Sequence, residues 1–345
     1  MVKTLAQLQL ESKKVLLRLD LDVNLKNGKV EDATRIENSL PTISAILAKK
    51  ASIIIIGHLG RPKGEVDLSL STKLLVPTFE KILDKKIIHF EAIFNQKVKE
   101  AVLAAKESDI FLLENLRFDP GEESNDPSFA RDLASLGDVF VNDAFAVCHR
   151  QHASVAFLPQ LLPSAAGLRL EEEVENLSKV VKNPARPLVA LIGGAKIETK
   201  LPVIENLSKV ADYVLVGGKL PIEIRYQKLE EKFAGNVVVG NLVRDGGDID
   251  LATIEKFSQM ISQAKTVVWN GPMGVYEEEK YMWGTKTIAE AIVKSGATSV
   301  IGGGETIAAI NKLGLARRIT WISSGGGAML EFLAGKTLPG IAALE

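Results

Sequence analysis

Leu188-Val189-Ala190-Leu191-Ile192-Gly193-Gly194-Ala195-Lys196 opens the second half of the chain, and its reading decides the fold. Five apolar residues without alternation are what a strand buried on both faces requires, and the glycine pair then turns the backbone into the next segment. The same pattern recurs on both sides of it. Upstream, residues 15–19, 53–56, 110–113 and 139–141 are apolar, β-branched runs; downstream, 213–216, 237–239, 266–269, 299–301 and 319–322 follow. Each gives way to Gly or polar residues and then to helical spacing, which predicts parallel strands with helices between them. The expected fold is α/β: two doubly wound parallel-sheet (Rossmann-like) domains joined by a helix and hinge.

Composition agrees with two cores. A chain of 345 residues, 46% hydrophobic and 25% charged, exceeds what one core usually serves. A net charge of −1 provides no broad positive field, which argues against nucleic acid or an anionic membrane as partner. Residues 1–14 contain no apolar stretch of signal-peptide type, and the longest apolar runs fall far short of a membrane span, so a cytoplasmic protein is expected. The single cysteine, Cys148, excludes an internal disulfide and fits a reducing compartment. Beside His149 its thiol could be activated, but a bystander is the better reading.

Between the two arrays, Leu170, Val174, Leu177 and Val181 put one apolar stripe on a helix, with Pro163 before it and Pro184 after. Glu171, Glu172 and Glu173 fall in its first turns, where negative charge suits the helix dipole. The expected division is an N-terminal domain over 1–167, a connecting helix over 168–183 and a C-terminal domain over 184–335.

Ligands of open α/β sheets bind beyond the carboxyl ends of the strands, and there the halves differ. The first offers Arg35, His58-Leu59-Gly60-Arg61, Asn115-Leu116-Arg117 and His149-Arg150-Gln151-His152. One such arginine is usually a surface ion pair; four at strand ends, with histidines, point to a small, multiply charged anion. The second offers Gly193-Gly194, Gly217-Gly218, Asn270-Gly271, Gly302-Gly303-Gly304 and Gly325-Gly326-Gly327. One glycine pair is a tight turn. Five clusters in one domain favour a nucleotide polyphosphate site, because backbone N–H groups can then approach phosphate closely and helix starts add positive dipole ends. Lys196 and Lys200 supply point charges. No Gly-x-Gly-x-x-Gly, His-Glu-x-x-His, Cys-x-x-Cys or Gly-x-Ser-x-Gly is present, and Gly335-Lys336-Thr337 lacks the opening glycine of a Walker A loop because position 330 is Leu.

Taken in order, these segments resemble phosphoglycerate kinase from about Lys14 to the C-terminus. They are Arg18-Leu19-Asp20, Asp32-Ala33-Thr34-Arg35-Ile36, Gly57-His58-Leu59-Gly60-Arg61-Pro62, Glu114-Asn115-Leu116-Arg117, Val141-Asn142-Asp143-Ala144-Phe145, His149-Arg150-Gln151-His152, Gly193-Gly194-Ala195-Lys196, Trp269-Asn270-Gly271-Pro272, Ile301-Gly302-Gly303-Gly304 and Ser324-Gly325-Gly326-Gly327. The resemblance implies reversible phosphoryl transfer from 1,3-bisphosphoglycerate to ADP, giving 3-phosphoglycerate and ATP, a step of glycolysis. It assigns the acid substrate to Asp20, Asp22, Arg35, His58, Arg61, Arg117 and Arg150. It assigns the nucleotide to Gly194, Lys196, Lys200, Gly218, Asn270, Glu277, Gly303, Gly304, Glu305, Thr306 and Gly326, with Mg²⁺ at Glu305. Arg35, Lys196, Gly304 and Gly327 are the catalytic candidates. It also implies a monomer, closure of the two domains during transfer, and residues 336–345 packing back on the first domain.

Some positions depart from the family pattern. Asp22 and Asn24 stand where Asn and Pro are usual, Thr199 where Asp is usual, and Glu305 where an Asp usually meets Mg²⁺. The added carboxylate of Asp22 should repel the acid unless it faces an arginine. The stretch from Lys219 to Lys265 is shorter than usual, so adenine over guanine rests on the family default alone. Thr199, Glu305 and that shortening motivate a second reading, a relative that binds ligand without turnover.

Overall fold

The structure is a computed structural model describing residues 2–345. The chain divides into two compact units, one running to Val174 and including Thr337–Glu345, the other Glu175–Lys336.

In the first unit the strands are β1 (Lys14–Arg18), β2 (Leu25–Lys26), β3 (Lys29–Val30), β4 (Ser52–Ile56), β5 (Ile88–His89), β6 (Ile110–Leu112), β7 (Val139–Asn142) and β8 (Ser164–Ala166). Six of them form one sheet in the order β5-β6-β4-β1-β7-β8, every pairing parallel, while β2 and β3 make a separate hairpin. All five residues of β4 are buried, as a central strand covered on both faces must be. Strand order reverses between β1 and β7, so the loops after β1 and β7 flank the crevice where such sheets hold ligands, with the loop after β4 next to them.

The second unit contains β9 (Leu188–Ile192), β10 (Tyr213–Val216), β11 (Val237–Val239), β12 (Thr266–Asn270), β13 (Thr298–Gly302) and β14 (Trp321–Ser323). Their order is β11-β10-β9-β12-β13-β14, all parallel, with the reversal between β9 and β12. Trp269, fully buried, anchors a core with Phe257, Ile261, Ile288 and Ile301. The doubly wound architecture is thus present twice.

One local reading changes, and two hold. In the helix Leu168–Lys182 the fully covered positions are Leu170, Glu173, Leu177 and Val180, whereas Val174 and Val181 are only half-buried. Glu173 tolerates burial because Arg169, one turn earlier, donates to it at 3.1 Å. Cys148 is buried, and burial pushes its thiol up to about 12, so it is inert at neutral pH. The turn after the helix Gly326–Leu333 closes through Gly335, whose N–H donates to the Phe332 carbonyl at 2.9 Å with φ +77°.

Candidate functional site

Arg18, the last residue of β1, is fully buried. Its guanidinium makes three hydrogen bonds: Nε to Ser154 Oγ at 3.0 Å, Nη1 to the Leu19 carbonyl at 2.5 Å, and Nη2 to His58 Nδ1 at 3.0 Å. Because a guanidinium can only donate, His58 Nδ1 accepts, and the ring proton sits on Nε2. Burial first, then the charges of Arg18 and Arg117, holds His58 well below the ordinary histidine range, so the ring is neutral.

Two residues past β1, Asp20 accepts from Arg35 Nη1. Burial raises the Asp20 carboxyl, and Arg35 works against that rise. Asp22 is exposed; its carboxylate accepts the Gly60 N–H at 2.9 Å and stands 3.8 Å from His58 Nε2. Its extra charge therefore falls on an amide and an imidazole N–H, with Arg117 near enough to feel it. Arg117 is buried, donates to the Gly60 carbonyl at 2.9 Å and places Nε 3.2 Å from Glu123. Arg150 is exposed and close enough for its charge to act on Arg117 and His152. Hydrogen bonds and mutual fields thus gather Asp20, Asp22, Arg35, His58, Arg117 and Arg150. Arg61, exposed just past Gly60, makes no hydrogen bond or ion pair among the described residues.

In the second unit, Asn270 at the end of β12 ties the strand ends together. Its amide donates to the Gly302 carbonyl at 2.9 Å and reaches the Gly326 carbonyl at 3.5 Å, while its Oδ1 accepts from Lys200 Nζ at 2.5 Å. Burial lowers the Lys200 ammonium pKa, and the charge of Glu305 opposes that shift. The helices Gly304–Lys312 and Gly326–Leu333 begin here, so first-turn N–H groups without intrahelical acceptors face the same end of the sheet. Their starts lie against each other: a Cβ on Gly326 would meet the Gly303 Cα at 2.6 Å.

Gly194 and Gly218 contribute differently. Their amides already donate to the Pro272 and Met273 carbonyls, at 3.3 and 3.1 Å, and a Cβ on Gly218 would strike Gly194 at 2.6 Å. What they lend is close approach of three strand ends. Thr306, fully buried, accepts the Gly271 N–H at 2.7 Å. Lys196 is the exposed N-cap of the helix Ile197–Leu207, and Thr199 donates back to its carbonyl at 3.0 Å. Glu277, Glu305, Gly304 and Gly327 are exposed.

Sequence reading gave no role of their own to four buried polar residues. Asn115 clamps Leu59, Leu70 and the Arg117 amide, and Arg18, Ser154 and Glu122 form a buried chain behind His58. The available signal was a charged residue, Arg18, ending a run otherwise apolar.

A sheet ending in guanidinium and imidazole groups, and another ending in glycine-led helix starts, define the class as a two-domain α/β phosphotransferase. A family model described as phosphoglycerate kinase matches residues 5–230 and 220–336. The phosphoglycerate kinases of Moorella thermoacetica and Rubrobacter xylanophilus are each 40% identical, over 386 and 384 aligned positions, covering 99% of this chain and 98% of theirs. Solved phosphoglycerate kinase structures from Coxiella burnetii (TM-score 0.84, 33% identity, 100% of this chain and 99% of that one) and Pyrococcus horikoshii OT3 (TM-score 0.86, 30%, 99% and 98%) share the fold. The chain belongs to the phosphoglycerate kinase family. The alignments span more positions than the chain has residues, and the two family-model stretches meet at 220–230, where the helix Leu220–Tyr226 gives way to a single 3-10 turn.

Proposed function

We infer that the protein is an active phosphoglycerate kinase, transferring phosphoryl reversibly from 1,3-bisphosphoglycerate to ADP. The observation that carries this is the Arg35–Asp20, Arg18–His58 and Arg117 set on the first unit of a chain that keeps the Asn270–Lys200 tie between glycine-led helix starts on the second. Asp20, Asp22, Arg35, His58, Arg61, Arg117 and Arg150 take the acid; Lys200, Asn270, Gly303, Gly304, Glu305, Thr306 and Gly326 take the nucleotide, with Glu277 at its ribose. Arg35, Lys196 and the amides at Gly304 and Gly327 neutralise charge on the transferring group. Phosphoryl transfer mainly requires in-line positioning and such neutralisation, and no general base is needed between a carboxylate and ADP. Closure of the domains belongs to this cycle, since reacting oxygens must meet away from water.

The donor set fits Mg²⁺ carried by a nucleotide. No group of three His, Cys, Asp or Glu side chains among the described residues makes a protein cage, whereas Glu305 offers one exposed carboxylate in the first turn of a phosphate-facing helix. When bound, the ion supplies charge neutralisation on the phosphates. No helix among the described residues is long and apolar enough to cross a membrane. A coupled assay of ADP formation from ATP and 3-phosphoglycerate with Mg²⁺, beside binding of each ligand, tests the assignment. Turnover is expected; binding of both ligands without turnover would overturn it.

A further inference from the structure

Behind the acid site lies a hydrogen-bonded chain with one direction. Glu122, in the short helix Pro120–Glu123, is completely buried and, among the described residues, has no Lys or Arg in direct contact. Its two oxygens accept from a single residue: Oε1 from the Ser154 hydroxyl at 2.6 Å and Oε2 from the Ser154 N–H at 2.9 Å. His152 Nδ1 stands 3.9 Å from Oε1, too far to compete. The hydroxyl has one proton. Spent on Glu122, it leaves Ser154 Oγ as an acceptor, to which Arg18 Nε–H donates at 3.0 Å. Held there through Nε, the guanidinium, which can only donate, turns Nη2 to His58 Nδ1 at 3.0 Å.

Each link fixes the placement of the next. A buried carboxylate and a buried guanidinium joined through a hydroxyl cost desolvation that their attraction barely repays, so such an arrangement is better understood as holding geometry than as stabilising the fold. The geometry held is that of His58, whose free Nε2–H faces the exposed Asp22 carboxylate and the loop after β4.

We propose that Glu122 and Ser154 are positioning residues for the phosphoryl-acceptor site: through Arg18 they fix the orientation and tautomer of His58, so that Nε2–H is always the donor offered to the acid substrate. Neither residue touches the substrate. The proposal rests on reading the first unit as the acid site, so its test separates ring geometry from catalysis.

The test uses the full chain with ¹⁵N-labelled histidine and long-range ¹H–¹⁵N spectra, the His58 signals being assigned with His58→Gln. Wild type is expected to show a single Nε2–H tautomer whose resonances move on adding 3-phosphoglycerate. In Ser154→Ala and in Glu122→Gln, Nδ1–H character should appear, and the KM for 3-phosphoglycerate should rise about tenfold, the value of a lost charge-assisted hydrogen bond, while the KM for ATP stays within about twofold. Should Ser154→Ala not fold, Glu122→Gln, which keeps the size of the side chain, carries the same measurements. An unchanged His58 spectrum and unchanged 3-phosphoglycerate KM, even with a lowered melting temperature, would overturn the proposal and leave the chain merely structural. If 3-phosphoglycerate leaves the wild-type His58 resonances untouched, the reading of the acid site itself fails instead.

Discussion

His152 lies close enough to Arg18, Arg117, Arg150 and His149 for their charges to act on it. Burial first, and those charges second, lower its pKa to about 4, against 6.5 for an exposed histidine. Between pH 6.5 and 4 the unfolded chain therefore binds a proton that the folded chain refuses, so stability is complete above that window and is lost as pH falls through it. At pH 5 the loss is about 1–2 kcal/mol after allowance for solvent screening. Comparing urea midpoints at pH 7 and pH 5 checks this: the gap should narrow in His152→Gln, with His58, shifted the same way, accounting for part of what remains. An equal gap in both proteins would show that His152 titrates normally. The residues visible from sequence, such as Arg35, His58 and Arg117, follow strand ends, where charge in a chain of apolar runs stands out. Glu122, Ser154 and Asn115 were hidden because their work is hydrogen bonding inside the protein, and a serine or asparagine in a loop carries no periodic signal.

Strands were legible where a long apolar run is covered on both faces. β9 and β10 span the same residues as the apolar runs that predict them, because hydrophobicity without alternation leaves little choice; the half-buried edge strand β11 matches its run as well. β5 and β8, at the two edges of the sheet, escaped: two and three residues long, one containing His89 and the other Ser164, they are set by the neighbours they pair with. Glycines between elements were legible as a group, but not their division of labour, since sequence does not tell a glycine that frees an amide from one that lets two backbones touch. Gly326 is of the second kind and lies outside the positive-φ region, so a substitution there is opposed by contact and not by backbone conformation. Gly326→Ala should push apart the starts of the helices Gly304–Lys312 and Gly326–Leu333, costing about 1–3 kcal/mol of the kind seen on overpacking. Calorimetry with ADP should then show affinity weakened roughly tenfold or more, with 3-phosphoglycerate binding unaltered. Unchanged ADP affinity would mean that the helix starts do not act together on the phosphates.

At the scale of the whole molecule, the chain ends in the unit where it begins. Leu338, Ile341 and Leu344 are buried, the Gly340 N–H donates to the Cys148 carbonyl at 2.9 Å, and the Lys3 N–H donates to the Leu344 carbonyl at 2.9 Å. Gly340 fits so closely that a Cβ would meet Val155 at 2.7 Å and the Cys148 Cα at 2.9 Å. Cys148 lies two residues before Arg150, whose own N–H is fastened to the Val147 carbonyl at 2.8 Å, so the tail braces the loop that presents this arginine. Removing residues 337–345 takes away three buried apolar side chains and leaves the Cys148 carbonyl and Lys3 amide without these partners. The loss should be at least that of one large-to-small core substitution, about 2–5 kcal/mol, and should fall on the first unit. The chromophores allow the units to be watched separately, because all three tryptophans, Trp269, Trp283 and Trp321, and all four tyrosines, Tyr213, Tyr226, Tyr276 and Tyr281, belong to the second. Tryptophan fluorescence therefore follows Glu175–Lys336, whereas far-ultraviolet circular dichroism follows both units. In the truncated protein the circular dichroism transition should begin at lower urea while the fluorescence midpoint stays in place, and the KM for 3-phosphoglycerate should rise with ADP affinity unchanged. If the fluorescence midpoint falls in step with the circular dichroism, the tail's stabilisation is not confined to the first unit, and its bracing of the Arg150 loop loses its separate basis.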